Sequence, residues 1–271
     1  MSRKVLACLA FLLPGVAAPG AALAQYGSSL PSWASGEWVV TLRGNVVASP
    51  DFPGSDELSV IGYPSMSLRR AGTPDRFSSP DDAISFGLID TGTFRAGPSF
   101  RYIGARKQKD HFELIGLGDV PWTIEAGVFA ELWPTDYLRA RVDVRHGFHG
   151  HRGLVADFAL DGVLPYGAFS FSAGPRLTLA SSRFMDAYFS VSPFEANING
   201  APAYSASGGV KSVGLAGAVN YRFSPQWSTT GYVRYDRLVG DAGDSPIPQL
   251  YGSRNQFTVG ASVGYTFNVR M

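Results

Sequence analysis

Residues Tyr137–Phe148 read Tyr-Leu-Arg-Ala-Arg-Val-Asp-Val-Arg-His-Gly-Phe. Leu138, Ala140, Val142 and Val144 are apolar, and between and after them stand Arg139, Arg141, Asp143 and Arg145. A period of two places these sets on opposite faces of an extended strand, whereas a helix would scatter both around its circumference. The pattern recurs on either side. In Trp122–Leu132, the residues Trp122, Ile124, Ala126, Val128, Ala130 and Leu132 share a face, and Glu125 and Glu131 lie on the other. Phe169–Leu179 sets Phe169, Phe171, Ala173, Leu177 and Leu179 against Ser170, Ser172, Arg176 and Thr178. Gln256–Asn268 alternates in the same way around Phe257, Val259, Ala261, Val263, Tyr265 and Phe267.

These segments run about 10 to 13 residues, against roughly 5–6 for a globular strand. A tilted strand needs about 9–11 residues to cross a bilayer. Trp38, Trp122, Trp133, Trp227, Tyr137, Tyr265 and Phe267 fall near segment ends, as in the aromatic girdles of membrane barrels. Only a closed barrel leaves no unpaired strand edge in lipid. The expected fold is therefore all-β: a transmembrane antiparallel up-and-down β-barrel of about twelve strands. They are expected near 37–48, 57–69, 76–88, 93–104, 121–133, 137–148, 152–164, 169–180, 183–192, 209–223, 227–239 and 255–268. A soluble β-sandwich also alternates, but with shorter strands and fewer apolar residues facing solvent.

The N-terminus carries Arg3 and Lys4, then a mainly apolar run from Val5 to Val16, then Ala22-Leu23-Ala24. This is the order of a secretory signal. The expected organisation is a cleaved signal over 1–24 and an outer-membrane barrel over 25–271. The single cysteine, Cys8, falls inside that signal, so no disulfide and no thiolate metal cluster is expected. Lys and Arg total 23 against 22 Asp and Glu, which lacks the basic footprint of a nucleic-acid binder.

With both termini in the periplasm, the strand count sends loops 49–56, 90–92, 134–136, 165–168, 193–208 and 240–254 outward, and turns 70–75, 149–151, 181–182 and 224–226 inward. The long stretch 105–120 then falls on the periplasmic side. Either an earlier strand is miscounted or that loop acts there. It joins Arg106, Lys107 and Lys109 to Phe112, Leu114 and Ile115. Apolar residues beside charges mark a candidate partner surface; the alternative is a loop folded under the barrel mouth.

The inward faces are expected to carry Glu125, Glu131, Arg139, Arg141, Asp143, Arg145 and Arg176, along with Arg43, Arg69, Arg95, Arg101, Asp157, Asp161, Asp186, Arg222, Arg234 and Asp236. Unpaired charge in such a space is costly. These groups either pair across the lumen and plug it or line a small channel. His149 and His151 would share a strand face as two imidazole ligands can, yet no third ligand or nucleophile follows at a useful spacing. The acidic loops Asp51–Asp56 and Asp241–Asp244 lack the spacing of a calcium loop and read as turns. No catalytic residue, cofactor site or metal site is assigned from spacing.

Several stretches resemble the MipA/OmpV family of outer-membrane proteins: Gly44–Asp56 with its Pro50-Asp51-Phe52-Pro53-Gly54-Ser55-Asp56, Gly97-Pro98 with Arg101-Tyr102, Ile115–Val120 before Glu125-Ala126-Gly127, His149–Val155, Ser172–Arg176, Gly208–Gly214 and Tyr235–Ile247. The resemblance spans essentially the whole chain after residue 24. Members tend to end on an aromatic; here Asn268-Val269-Arg270-Met271 follow Phe267. The resemblance implies a non-catalytic scaffold in the outer membrane that binds a lytic transglycosylase and a peptidoglycan synthase, its other neighbours being lipid. Two other readings stand beside it: a small-solute pore sensitive to Arg139 and Arg141, and a barrel enzyme using His149 or His151.

Overall fold

The computed structural model describes residues 36–73 and 76–270. The expected signal over 1–24 lies outside the described residues. From Glu37 the chain forms strands β1 (Glu37–Pro50), β2 (Leu58–Arg70), two short strands β3 (Ile84–Ser85) and β4 (Ile89–Asp90), then β5 (Phe94–Ile103), β6 (Thr123–Thr135), β7 (Leu138–His149), β8 (Leu154–Tyr166) and β9 (Phe169–Ala180). Helices α1 (Ser182–Phe189) and α2 (Pro193–Asn199) follow, then β10 (Gly209–Arg222), β11 (Trp227–Leu238), α3 (Gly240–Asp244), α4 (Pro246–Leu250) and β12 (Asn255–Arg270).

Neighbouring strands pair antiparallel in the order β2-β1-β12-β11-β10-β9-β8-β7-β6-β5-β3, with β4 also on β5. The pairing of β1 with β12, from Glu37 opposite Arg270 to Ala48 opposite Val259, joins the first strand to the last and curls the sheet into a nearly closed barrel. Asn268, Val269 and Arg270 continue β12 past Phe267 and stay paired with β1. Among the described residues no helix is long and apolar enough to cross a membrane; the strands make the crossing.

The barrel is inside-out relative to a soluble sheet. Along β7, Arg139, Arg141, Asp143 and Arg145 are buried while Leu138 and Val144 are exposed. Along β6, Glu125 and Glu131 are buried while Ile124, Val128 and Leu132 are exposed. A sandwich in water would reverse both faces, because burying charge while wetting apolar surface is doubly unfavourable. In lipid the arrangement is the favourable one. Exposed aromatics ring one end, where Phe169, Tyr221, Phe223, Trp227 and Tyr265 follow one another with centroids 4.6, 6.3, 6.4 and 4.8 Å apart. Trp133 is not part of a girdle: it is buried, and its indole N–H donates to Glu131 Oε1 at 2.9 Å.

Two expected strands are corrected. Residues 183–192 form no strand; α1 occupies most of them. Phe184, Met185, Tyr188 and Phe189 are all buried, an i, i+1, i+4, i+5 set that shares a helix face and would split across a strand. Asp186, expected in the lumen, is exposed on this helix. Residues 76–88 shrink to β3, because Ser79-Pro80-Asp81-Asp82 makes a turn. Asp82 N–H bonds Ser79 O at 3.1 Å, and Ser79 N–H bonds the Asp82 carboxylate at 3.0 Å.

These two errors shift the topology between them and cancel after them. The structure places 51–57, 104–122, 150–153, 181–208 and 239–254 at one end, the loop end. The turns near 91–93, 136–137, 167–168 and 223–226 lie at the other, the turn end, with Glu37 and Arg270. Loop 105–120 is thus at the end opposite the strand termini, and 90–92, 134–136 and 165–168 are not on the side of loop 49–56.

Candidate functional site

A connected network of charges crosses the lumen. Arg139, fully buried, donates from Nε to Glu131 at 2.9 Å, from Nη1 to Asp161 at 2.8 Å, and from Nη2 to Asp82. Arg141 holds Asp143 at 2.6 Å and reaches Glu131 at 3.4 Å, with its guanidinium 4.2 Å from the centre of the Phe129 ring. Arg176 bridges Asp161 and Asp81, both at 2.8 Å. Arg145 pairs with Glu125 at 2.9 Å and with Asp157, which also takes Arg101 at 3.0 Å. Every lumen charge expected from alternation at 125, 131, 139, 141, 143, 145 and 176 is in this network.

Asp81 and Asp82 are the members that alternation misses. They sit on no wall strand but on the turn 79–82, which rises into the lumen after β2. Asp81 takes Arg176 and also Arg234 at 3.0 Å; Arg101 donates to its backbone carbonyl at 3.0 Å. The sequence signal was the Ser-Pro-Asp-Asp string inside a supposed strand, where Pro disfavours the ladder. The space left between Asp81, Asp82, Arg101, Asp157, Arg176 and Arg234 is about 20 Å³, room for about one water.

Over the loop end lies a conventional apolar core. Phe184, Met185, Tyr188 and Phe189 of α1 pack with Val120, Val155, Ala206, Leu238 and Ala242. Beside them Phe52, Leu114, Leu117, Val191, Ala201 and Ile247 form a second cluster. The candidate partner loop contributes to this roof. Leu114 is 1% exposed, and Arg106 is buried with its guanidinium donating to the carbonyls of Tyr188 (3.0 Å) and Gly118 (3.1 Å). The Tyr188 carbonyl belongs to the last turn of α1, where a cation is favoured. Burial pushes the Arg106 guanidinium below its ordinary pKa, opposed by nearby Tyr188, Glu195 and Asp119. Lys107, Lys109, Phe112 and Ile115 remain exposed, Phe112 at 84%. Helix α2 docks on the same loop. It starts with a complete capping box between Ser192 and Glu195, and Glu195 also accepts from Gly118 N–H at 2.7 Å. Burial acts to raise the Glu195 carboxyl pKa, but the backbone N–H groups of Gly118 and Ser192 hold it below its ordinary value.

The histidines separate. His149 has a positive φ of 79°, which turns the chain; its ring stacks on Trp122 at 4.4 Å, exposed. His151 points into the barrel. Gly153 N–H donates to its Nδ1 at 3.0 Å, so Nε2 carries the proton and donates to Glu125 at 3.2 Å. The ring lies where a side chain on Gly147 would be. The two imidazoles therefore do not share a face. Asp241 anchors the roof by accepting from Ser207 N–H at 2.6 Å.

A family model described as "MltA-interacting protein MipA" matches residues 44–267. No curated protein matches the chain. Solved structures with similarity include "KdgM porin" (10% identity, TM-score 0.38, covering 84% of this chain and 99% of that one). Others are "NanC porin structure in rhombohedral crystal form" (12%, 0.37, 83% and 98%) and the "COG4313 outer membrane channel from Pseudomonas putida F1" (11%, 0.36, 88% and 97%).

Proposed function

The chain belongs to the MipA family, and from that premise we propose a sealed outer-membrane barrel that works as an interaction protein at its surfaces. The observation that carries this reading is the network of buried ion pairs across the lumen. A solute would have to pass the ion-paired layer in which Arg139 binds Glu131, Asp161 and Asp82, and then the apolar roof built on α1. Neither layer offers the continuous wet path that conduction needs.

The signal over 1–24 directs export and is cleaved after Ala24. Short turns of outer-membrane barrels face the periplasm and longer loops face outward, so the turn end is periplasmic. The partner is a lytic transglycosylase, with a peptidoglycan synthase joining it, as the family description and resemblance suggest. It docks on the turns near 136–137, 167–168 and 223–226. Loop 105–120, on the opposite end, is not its seat. The barrel is assigned no catalytic step.

Two measurements test this. The mature barrel in a planar bilayer is expected to give no conductance steps; defined steps overturn the sealed reading. Embedded in nanodiscs, it is expected to capture a purified lytic transglycosylase that an unrelated barrel does not capture. Equal capture by both removes the partner assignment.

A further inference from the structure

We propose that the loop end carries a zinc site made by Glu57, His111 and Glu113. His111 lies between two single 3-10 turns, Gln108–Asp110 and Phe112–Leu114, in extended backbone (φ −135°, ψ 100°). That geometry drives its ring inward, where it is 3% exposed and packs edge-on against Phe52 at 5.1 Å. Its Nε2 is 2.7 Å from Asp51 Oδ2. A carboxylate only accepts, so Nε2 carries a proton, and in the tautomer protonated there alone the Nδ1 lone pair is free for a ligand. Nδ1 is buried and has no hydrogen-bond partner. This is costly for a polar atom unless something occupies it.

What faces that lone pair is two carboxylates. Glu57 Oε2 is 3.5 Å away and Glu113 Oε1 3.7 Å away, and the ligand atoms of all three residues lie within 4.8 Å of one another. Both separations are too long for a hydrogen bond of about 2.7–3.2 Å. They suit two ligands of one tetrahedral ion, since bonds of about 2.0–2.1 Å at tetrahedral angles put ligand atoms about 3.4 Å apart. Octahedral geometry would bring them to about 3 Å. The Asp51–His111 hydrogen bond is the carboxylate–imidazole pair that orients a metal-bound histidine from outside the coordination sphere. An imidazole nitrogen with two carboxylates favours zinc over calcium or magnesium, which take oxygen ligands. The fourth position is open to water or to a group from outside.

The donors come from two segments far apart in sequence, the β1–β2 loop and the β5–β6 loop. Asp51, beside the site, and the Phe52 ring belong to the first; Arg106, whose guanidinium lies 5.8 Å from that ring, belongs to the second. A bound ion pins these loops together at the rim of the roof and relieves the crowding of Asp51, Glu57 and Glu113 around one imidazole.

The test uses the refolded full-length mature barrel, with zinc titrated against a chromophoric chelator and cobalt(II) as a spectroscopic probe. The expected results are one zinc per chain, an intense tetrahedral cobalt spectrum, and no displacement by millimolar calcium. Glu57→Gln and Glu113→Gln should each weaken zinc at least tenfold, Asp51→Asn about tenfold, and His111→Ala should abolish the site. Because His111 is buried and its loss can loosen the roof, the exposed Glu57 is the decisive variant, with heat-modifiable gel migration confirming the fold. His149→Ala should leave affinity unchanged. Zinc affinity equal to wild type in Glu57→Gln, displacement by calcium, or a wild-type barrel that takes up no zinc at micromolar concentration overturns the proposal.

Discussion

Replacing Arg139 by Met separates a packed lumen from a hydrated one. Arg139 is fully buried and binds three carboxylates, those of Glu131, Asp161 and Asp82. Met fills the volume but leaves the three acids with diminished compensation. Glu131 keeps Arg141 at 3.4 Å and the Trp133 N–H, and Asp161 keeps Arg176 at 2.8 Å. Asp82 keeps only a 3.7 Å approach from Arg141 among the ion pairs. Breaking a buried pair by removing one partner costs about 3–5 kcal/mol, whereas an exposed pair contributes about 0–1 kcal/mol. The comparison is Arg254→Ala at the loop end, where Arg254 meets Asp244 at 3.1 Å with both side chains substantially exposed; its expected cost is under about 1 kcal/mol. The assay is urea unfolding of the barrel in lipid vesicles, followed by tryptophan fluorescence. Adding Asp82→Asn to Arg139→Met should restore part of the loss, because it deletes the acid left with the weakest partner. An Arg139→Met cost as small as that of Arg254→Ala would mean that water fills the lumen, and the sealed reading would fail with it.

The roof should respond separately from the wall. Phe184→Ala, at 2% exposure, is expected to cost about 3–5 kcal/mol, read as faster amide exchange in Ser182–Phe189 with exchange in β7 unchanged. Conductance should need both layers to fail. Asp81→Ala/Asp82→Ala alone stays silent in a planar bilayer; the same pair combined with Phe184→Ala conducts, with anion preference from the freed Arg139, Arg141, Arg176 and Arg234. Acid should loosen α2. The Glu195 carboxyl is held below its ordinary value of 4.5, so its stabilisation is present above that value and fades as pH falls through the lower folded value. Exchange of the Gly118 amide should rise over that acid window, and Glu195→Gln should show the raised rate already at pH 7.

The wall was legible because lipid and a charged interior impose opposite requirements on adjacent residues. Arg139, Arg141, Asp143 and Arg145 had to face away from Leu138 and Val144 wherever the strand lay, so the lumen list followed from the register alone. The plug was not legible in the same way. Asp81 and Asp82 reach the lumen from a turn, and no periodicity governs a segment that belongs to no wall strand. Alternation likewise failed at 183–192, where Met185, Ala187, Phe189 and Val191 interleave with Asp186, Tyr188, Ser190 and Ser192 closely enough to mimic a strand. The pairs Phe184-Met185 and Tyr188-Phe189, adjacent and apolar, were the helical signal. His111 went unremarked because its partners Asp51 and Glu57 are far away in sequence, and only the closing of the loop end brings them to its ring.

One chain thus follows two burial rules, and the change between them marks the upper edge of the bilayer. On β9, Phe169 and Phe171 are exposed while Ser172, Arg176 and Thr178 fill the interior. Two residues beyond Thr178 the rule reverses: Ala180 is buried, and then Phe184 and Met185 are buried beneath an exposed Asp186. Polar-in, apolar-out is favourable only against hydrocarbon; apolar-in, polar-out is favourable only against water. The boundary therefore falls at the top of β9, and the same inversion appears on β11, where Arg234 and Asp236 pair in the lumen and Leu238 joins the roof. An apolar seal stacked on an ion-paired plug resists two different intruders. On the sealed reading proposed above, the roof would keep out ions and water, and the paired carboxylates and guanidinium groups of the plug would give an entering ion little free charge to bind. The two rims differ accordingly: the turn end carries short turns and aromatics, and the loop end carries three acids gathered around a buried imidazole.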